Sequence, residues 1–171
     1  MKALIQRVTS ASVTIEGERV AAIGHGLLLL LGVATTDTEA DVDYLVRKTV
    51  ALRIFDDENG VMNLDVRQVD GQVLVVSQFT LQADTRKGNR PSYIHAAGEA
   101  VANPLYESFK RKLAIALGKD IPCGRFGADQ RREKGQENRG KINNIITTTW
   151  LETLNVHSDI GFKYIHKLVK P

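Results

Sequence analysis

Five consecutive leucines at positions 27–31, bracketed by Gly26 and Gly32, constrain this fold more than any other feature of the 171 residues. A strand turns successive side chains to opposite faces. A run that is apolar at every position from 27 to 33 must therefore be covered on both of them. The run is far too short to span a bilayer, which takes about 20 residues, and no other apolar stretch approaches that length. The chain must bury this strand between two layers.

The flanking patterns supply those layers. Residues 3–8, 12–16 and 19–23 read as strands, with Gly17 as a turn and Gly24-His25-Gly26 punctuating the connection to the leucine run. Thr36-Asp37-Thr38-Glu39 has the form of a capping box, and Val42, Leu45, Val46, Thr49 and Val50 then follow helical spacing. A helix is expected over 37–53. Asp57-Glu58-Asn59-Gly60 and Asp70-Gly71 mark turns. Asn103-Pro104 supplies an N-cap and a first-turn proline for a second helix, whose Leu105, Phe109, Leu113 and Leu117 recur at i+4 up to about Gly118. Strands, a helix, more strands and a helix predict an α+β (mixed α/β) domain with largely antiparallel, barrel-like sheets.

Length and a 43% hydrophobic, 25% charged composition fit one ordinary globular domain. Met1-Lys2-Ala3-Leu4 runs straight into a strand pattern without a signal-peptide layout. The single cysteine, Cys123, excludes an internal disulfide, and a reducing cytoplasm is expected. Residues 130–171 carry eight Lys/Arg against four Asp/Glu, leaving 15 basic and 16 acidic residues in 1–129. The basic character thus lies in the last quarter. Residues 130–141 contain no apolar side chain and are expected to be solvated, the start of an irregular, compositionally distinct tail. Residues 142–154 read as a short strand or helix, and 161–169 as a small amphipathic piece.

Chemistry concentrates in residues 73–84. The apolar β-branched run ends at Ser77-Gln78, then resumes with Phe79 and Leu81 around Thr80. Polar groups placed in or beside a core cost free energy unless each finds a partner. Two hydroxyls and an amide in four residues therefore suggest a site, although Ser and Thr are also ordinary strand residues. Ser77 and Thr80 are an odd number apart, so both reach one substrate only where the strand ends, bends or bulges. A strand end with unpaired backbone N–H groups can hold an oxyanion without a side-chain nucleophile. Other chemistries fare worse. His25, His95, His157 and His166 are dispersed without ligand spacing. There is no phosphate-binding glycine loop, dinucleotide fingerprint or Gly-x-Ser-x-Gly elbow.

The sequence resembles the D-aminoacyl-tRNA deacylases. The matching features are Ala3-Leu4-Ile5-Gln6-Arg7-Val8 with Ala11-Ser12-Val13, the segment 26–32, Arg53-Ile54-Phe55, and Met62-Asn63-Leu64. They continue with 73–81 and its Ser77-Gln78-Phe79-Thr80 core, Arg90-Pro91-Ser92, and Gly124-Arg125-Phe126-Gly127-Ala128-Asp129. The likeness spans about 1–129 in order and register. It implies hydrolysis of the ester of D-aminoacyl-tRNA, and of mischarged glycyl-tRNA, by a homodimer with sites at the subunit interface and no metal or organic cofactor. It assigns the catalytic element to Ser77, Gln78, Phe79 and Thr80, with backbone groups near Gln78 and Phe79 holding the aminoacyl group. Thr80 is then either a nucleophile or a wall residue beside a tRNA whose terminal ribose 2′-OH assists. No adjacent base activates it. Phe79 reads equally as core filler. Substrate contacts fall to Arg7, beneath the site, and to Met62. Arg86, Lys87 and Arg90 would touch phosphates, adding salt-dependent affinity. The bland alternatives are a surface charge at Arg7 and a solvated loop at 84–91.

The resemblance breaks after Asp129. Members of this family continue with a hydrophobic strand and an Asn-x-Gly-Pro element whose cis Gly-Pro excludes L-amino acids from the partner's site. Here Asn138-Arg139 falls where Gly-Pro belongs, and the only prolines are Pro91, Pro104, Pro122 and Pro171. Two explanations present themselves: a reading-frame change near codon 130, or a divergent basic tail that binds RNA. They carry the alternative functions, an inactive frame-altered variant or a non-catalytic nucleic-acid-binding module.

Overall fold

A computed structural model describes residues 1–15, 18–86, 89–124 and 126, with the strand backbones at 156–159 and 165–169. Its order is β1 (Lys2–Val8), β2 (Ser10–Ile15), β3 (Glu18–Ile23), β4 (Gly26–Gly32), α1 (Glu39–Ala51), β5 (Phe55–Asp56), β6 (Met62–Leu64) and β7 (Gln72–Ser77). A 3₁₀ turn (Phe79–Gln82), α2 (Glu99–Leu117), β8 (Val156–Asp159) and β9 (Ile165–Val169) follow.

The leucine strand is central. One sheet runs β7-β4-β1-β9, a second β3-β2-β8, and β5-β6 form a small hairpin. Leu27, Leu29 and Leu31 pack with Val42, Leu45, Tyr106 and Phe109 of the two helices. Leu28 and Leu30 face the other way, onto Val13, Ala21 and Ile23 of the second sheet. All five leucines are at most 2% exposed. Burying each one fully is worth about 1.5–3 kcal/mol. The result is three layers: helices, sheet, sheet.

Among the paired strands the expected antiparallel character holds except at one place. β4 and β7 are parallel, with Leu27 opposite Val73 and Leu31 opposite Ser77. Parallel neighbours require a crossover, which α1 supplies. Among the described residues the sheets do not close into a barrel. Two segments of the tail are described, and both are strands. β8 pairs with β2 and β9 with β1, so the last quarter of the chain covers an edge of each sheet. Residues 130–141, including Asn138-Arg139, lie outside the described residues.

Both helices start away from their expected positions. α1 takes Thr38 as N-cap, with the Thr38 N–H donating to Asp41 Oδ2 at 2.8 Å, two residues past the Thr36/Glu39 pairing. Asp37 is committed elsewhere, to the Met1 amino group and to the Ala34 N–H at 2.6 Å. α2 begins at Glu99 behind Gly98, leaving Pro104 inside the helix rather than in its first turn. A backbone bond to the segment just past β4 fixes that start: Ala97 N–H donates to Val33 C=O at 3.0 Å. Gly118, at φ 65°, ends the helix in the left-handed conformation that glycine tolerates. No helix among the described residues is long and apolar enough to cross a membrane.

Candidate active site

β7 delivers its last residue, Ser77, opposite Leu31, and Gln78 N–H donates to Leu31 C=O at 2.7 Å. The chain then leaves the sheet and tightens into the 3₁₀ turn. This is the strand end that the Ser77/Thr80 spacing required. Leu81 N–H bonds Gln78 C=O at 3.3 Å and Ala83 N–H bonds Thr80 C=O at 3.0 Å. The N–H groups of Phe79 and Thr80, first in the turn, have no acceptor among the described residues. Gln78 N–H is already taken by Leu31, so the open backbone donors sit one residue further on than Gln78.

After the turn the chain returns through an Asp84–Ser92 bridge and an Ala34–Ala96 bridge, then enters α2. That return builds the second wall of a cavity of about 410 Å³. Ser77, Gln78 and Phe79 line one side, with Leu31 of β4 and Val33 just past its end. Ala96, Ala97, Gly98, Glu99, Ala102 and Tyr106 line the other, and Phe126 closes it. The size suits a small organic group. Among the described residues, Glu99 is the only charged one in the walls.

Tyr106 anchors the floor. It is 1% exposed, donates its hydroxyl to Val75 C=O at 3.1 Å, and has its ring 5.3 Å from that of Phe126. Burial drives its phenol far above the ordinary value of 10, so it stays protonated. Phe79 meets Tyr93 edge to face, with centroids 5.3 Å apart.

The remaining sequence candidates divide. Thr80 adjoins the cavity without lining it, and its Oγ1 accepts from the Gln78 side-chain amide. Gln78 is 7% exposed, and its Oε1 has no partner among the described residues. Arg86 is exposed and clasps Asp84 through three contacts, the shortest 2.5 Å. That guanidinium holds the Asp84 carboxyl well below its ordinary 3.8. Arg90 is exposed, and Lys87 lies outside the described residues.

Arg7 and Met62 sit elsewhere. Arg7 donates to Ile54 C=O at 3.0 Å and pairs with Asp56 at 3.1 Å. Its β4 neighbour is Leu27, four rungs or about 13 Å from the Leu31–Ser77 rung. Met62, 36% exposed, pairs with Asp56 in the β5–β6 hairpin. Within one chain these two gather around Asp56 and not around the cavity. Among the described residues no group of three His, Cys, Asp or Glu side chains is placed to hold a metal ion.

A three-layer α+β domain carries a cavity at the carboxyl ends of two parallel strands, bordered by a turn with open backbone donors and large enough for a small organic group. The family is shown by comparison. The sequence model of the D-Tyr-tRNA(Tyr) deacylase family matches residues 4–146, and this chain belongs to that family. The match continues past Asp129 into the tail. A D-aminoacyl-tRNA deacylase of Phocaeicola vulgatus is 50% identical over 155 residues, covering 91% of this chain and 99% of its own. One from Bacteroides fragilis is 53% identical over 133 residues, covering 78% and 89%. Among solved structures, the c-Myc DNA Unwinding Element Binding Protein is 32% identical with a TM-score of 0.77, covering 100% of this chain and 99% of that one. A probable eukaryotic D-amino acid tRNA deacylase, 14% identical with a TM-score of 0.71 over 98% and 97% of the two chains, shares the fold.

Proposed function

We propose that this chain hydrolyses the ester bond of D-aminoacyl-tRNA, releasing the free D-amino acid and tRNA. The observation that carries the reading is the family match over 4–146, whose Ser77–Phe79 segment forms a wall of the cavity. The aminoacyl group enters the cavity, and its carbonyl oxygen takes the backbone N–H groups of Phe79 and Thr80. Donors fixed before the reaction stabilise the developing oxyanion without reorganising. A water oxygen bonds to the carbonyl carbon and the bond to the ribose 3′-oxygen breaks. The proton from that water passes through the neighbouring 2′-hydroxyl to the departing 3′-oxygen. No protein nucleophile is needed, in keeping with a Thr80 hydroxyl that is engaged by Gln78.

The tRNA acceptor end is the partner, with exposed Arg90 in the loop after the turn for its phosphates. Arg86 is the weaker candidate, because Asp84 already neutralises it. The working unit is a homodimer, in which Arg7 and Met62 of one copy serve the other's site. Incubation with D- and L-tyrosyl-tRNA tests the reading. Selective loss of the D-ester is expected. Loss of both would mean that chirality selection has gone with the missing Gly-Pro, and loss of neither sinks the hydrolase. The 32% identity to a DNA unwinding element binding protein favours a second reading, a nucleic-acid-binding module without turnover. Nucleic-acid binding without hydrolysis of either ester would establish it.

A further inference from the structure

A four-residue 3₁₀ turn is too short to fix its own position, since its hydrogen bonds are few and poorly aligned. The turn that presents Phe79 and Thr80 must be held from outside. Three ties reach it from the sheet. Gln78 N–H bonds Leu31 C=O at 2.7 Å, and Lys2 Nζ bonds Leu81 C=O at 3.1 Å. The third is Gln82, 4% exposed, whose Nε2 donates to Gly32 C=O at 2.8 Å. Successive carbonyls at the end of β4 thus bind the two ends of the turn. The space between is closed: a Cβ on Gly32 would stand 2.8 Å from Gln78 O and 2.9 Å from Leu81 Cβ. These atoms belong to backbone or to its first side-chain carbon, and neither swings aside.

We infer that Gln82 is a positioning residue of the deacylase site, setting the turn that carries the two open backbone donors beside the cavity, with Gly32 providing the contact that only glycine permits. The inference rests on the proposed function for its chemistry, but its geometry can be read without turnover. Gln82 is not among the lining residues of the candidate cavity and carries no reacting group. Its amide acts through the backbone it ties down, and small displacements of an oxyanion donor are costly to a rate.

The test compares Gln82→Met, close in length but lacking the donor, with Ser108→Ala. The latter removes another side-chain tie, Ser108 Oγ to Glu39 at 2.8 Å, between the helices and away from the turn. In ¹⁵N–¹H spectra, Gln82→Met should shift the Phe79 and Thr80 amides and speed exchange at Leu81 and Ala83; Ser108→Ala should do neither. On D-tyrosyl-tRNA, Gln82→Met should lower kcat by about 10- to 100-fold with KM within about twofold, a split expected of lost transition-state contacts. Gly32→Ala, which pushes the turn from the other side, should move the same two amides. If both variants fold and leave those amides and kcat where Ser108→Ala leaves them, Gln82 is merely structural and the inference is overturned. Amides that shift on Gln82→Met while the parent hydrolyses no ester would uphold the positioning and remove the deacylase.

Discussion

Replacing Thr80 with valine separates the two chemistries open to the Ser77–Thr80 turn. If Thr80 is the nucleophile, the substitution removes the attacking oxygen. The loss should then approach that of deleting a catalytic serine, on the order of 10⁴-fold or more in kcat. If the hydroxyl braces the turn, the cost is that of its contact. Thr80 Oγ1 accepts from Gln78 Nε2, and Gln78 Oε1 has no other partner among the described residues. Valine therefore leaves a 93%-buried amide unpaired at both ends, given the 7% exposure of Gln78. Leaving a buried polar group unpaired costs about 1–3 kcal/mol.

In a domain of this size each kcal/mol lowers Tm by about 2–4 °C, so a fall of about 2–12 °C is expected. Even if the whole penalty fell on the transition state, the rate would drop by about 5- to 150-fold. The two outcomes are separated by about two orders of magnitude. The assay is single-turnover deacylation of D-tyrosyl-tRNA beside thermal unfolding, repeated with a terminal 2′-deoxyadenosine. Bracing predicts a lowered Tm, a rate loss under about 150-fold, and a larger loss on the 2′-deoxy substrate for parent and variant alike. An unchanged Tm with a 10⁴-fold loss, and full activity on the 2′-deoxy substrate, would refute it.

Glu99→Gln removes the only charge that the described residues place on the cavity wall. Affinity for a non-hydrolysable D-tyrosyl-amide of 3′-amino-adenosine should fall by up to about fivefold, the worth of one exposed ion pair, while its N-acetyl derivative binds unchanged in calorimetry. Asp65, Asp84, Asp57, Asp70 and Glu39 all hold their carboxyls below ordinary values, Asp65 through Arg67, Asp84 through Arg86, Asp57 through the Val61 N–H, Asp70 through Lys119 and Glu39 through Lys112. Folded-state values below unfolded ones stabilise above the unfolded values of 3.8 for Asp and 4.5 for Glu, and that stability is lost as pH falls through the folded ones. Tm should therefore be flat in this respect from pH 8 to 5 and decline below about 4, and Asp65→Asn should flatten part of the acid decline. Truncation after Asp129 uncovers the β1 edge at Lys2–Gln6 and the β2 edge at Ser10–Val13. Light scattering should show aggregation that the full chain lacks, because unpaired edges template further pairing; a monodisperse truncated protein would contradict the edge assignment.

The fold was legible where the pattern was local. The leucine run announced a strand covered on both faces, and alternate leucines do reach different layers. It was not legible where distant backbone decides. Asn103-Pro104 looks like a helix start because proline suits a first turn. The start lies instead at Gly98, fixed by the ladder from Val33 to Ala97 across more than sixty residues of chain. Similarly, Asp37 was drawn out of the capping pattern by the Met1 amino group. The site was half legible for a chemical reason. Ser77, Gln78 and Thr80 stand out as polar residues in an apolar run. Ala96, Ala97, Gly98 and Ala102 form the facing wall precisely by having little side chain, and small apolar residues carry no signature. Phe126 lies inside the segment 124–129 that resembles the family, yet nothing in that segment marks it as facing a cavity.

The same strand explains why the site falls where it does. In a sheet with parallel strands, the crossover leaves a crevice at their carboxyl ends. β4 and β7 are the parallel pair, and both end at the cavity, one at Leu31–Val33 and the other at Ser77. Leu27 to Leu30 spend their apolar area on the two layers, and only Leu31 reaches the cavity wall. One step later Gly32 admits the 3₁₀ turn against the strand and offers its carbonyl to Gln82. The leucines thus give β4 a position that neither face can yield, and the glycine at its end transmits that rigidity to the backbone donors. A cavity-forming change at Leu29 should cost stability without moving those donors, whereas a single methyl at Gly32 should move them, and the amide spectra of Phe79 and Thr80 would tell the two apart.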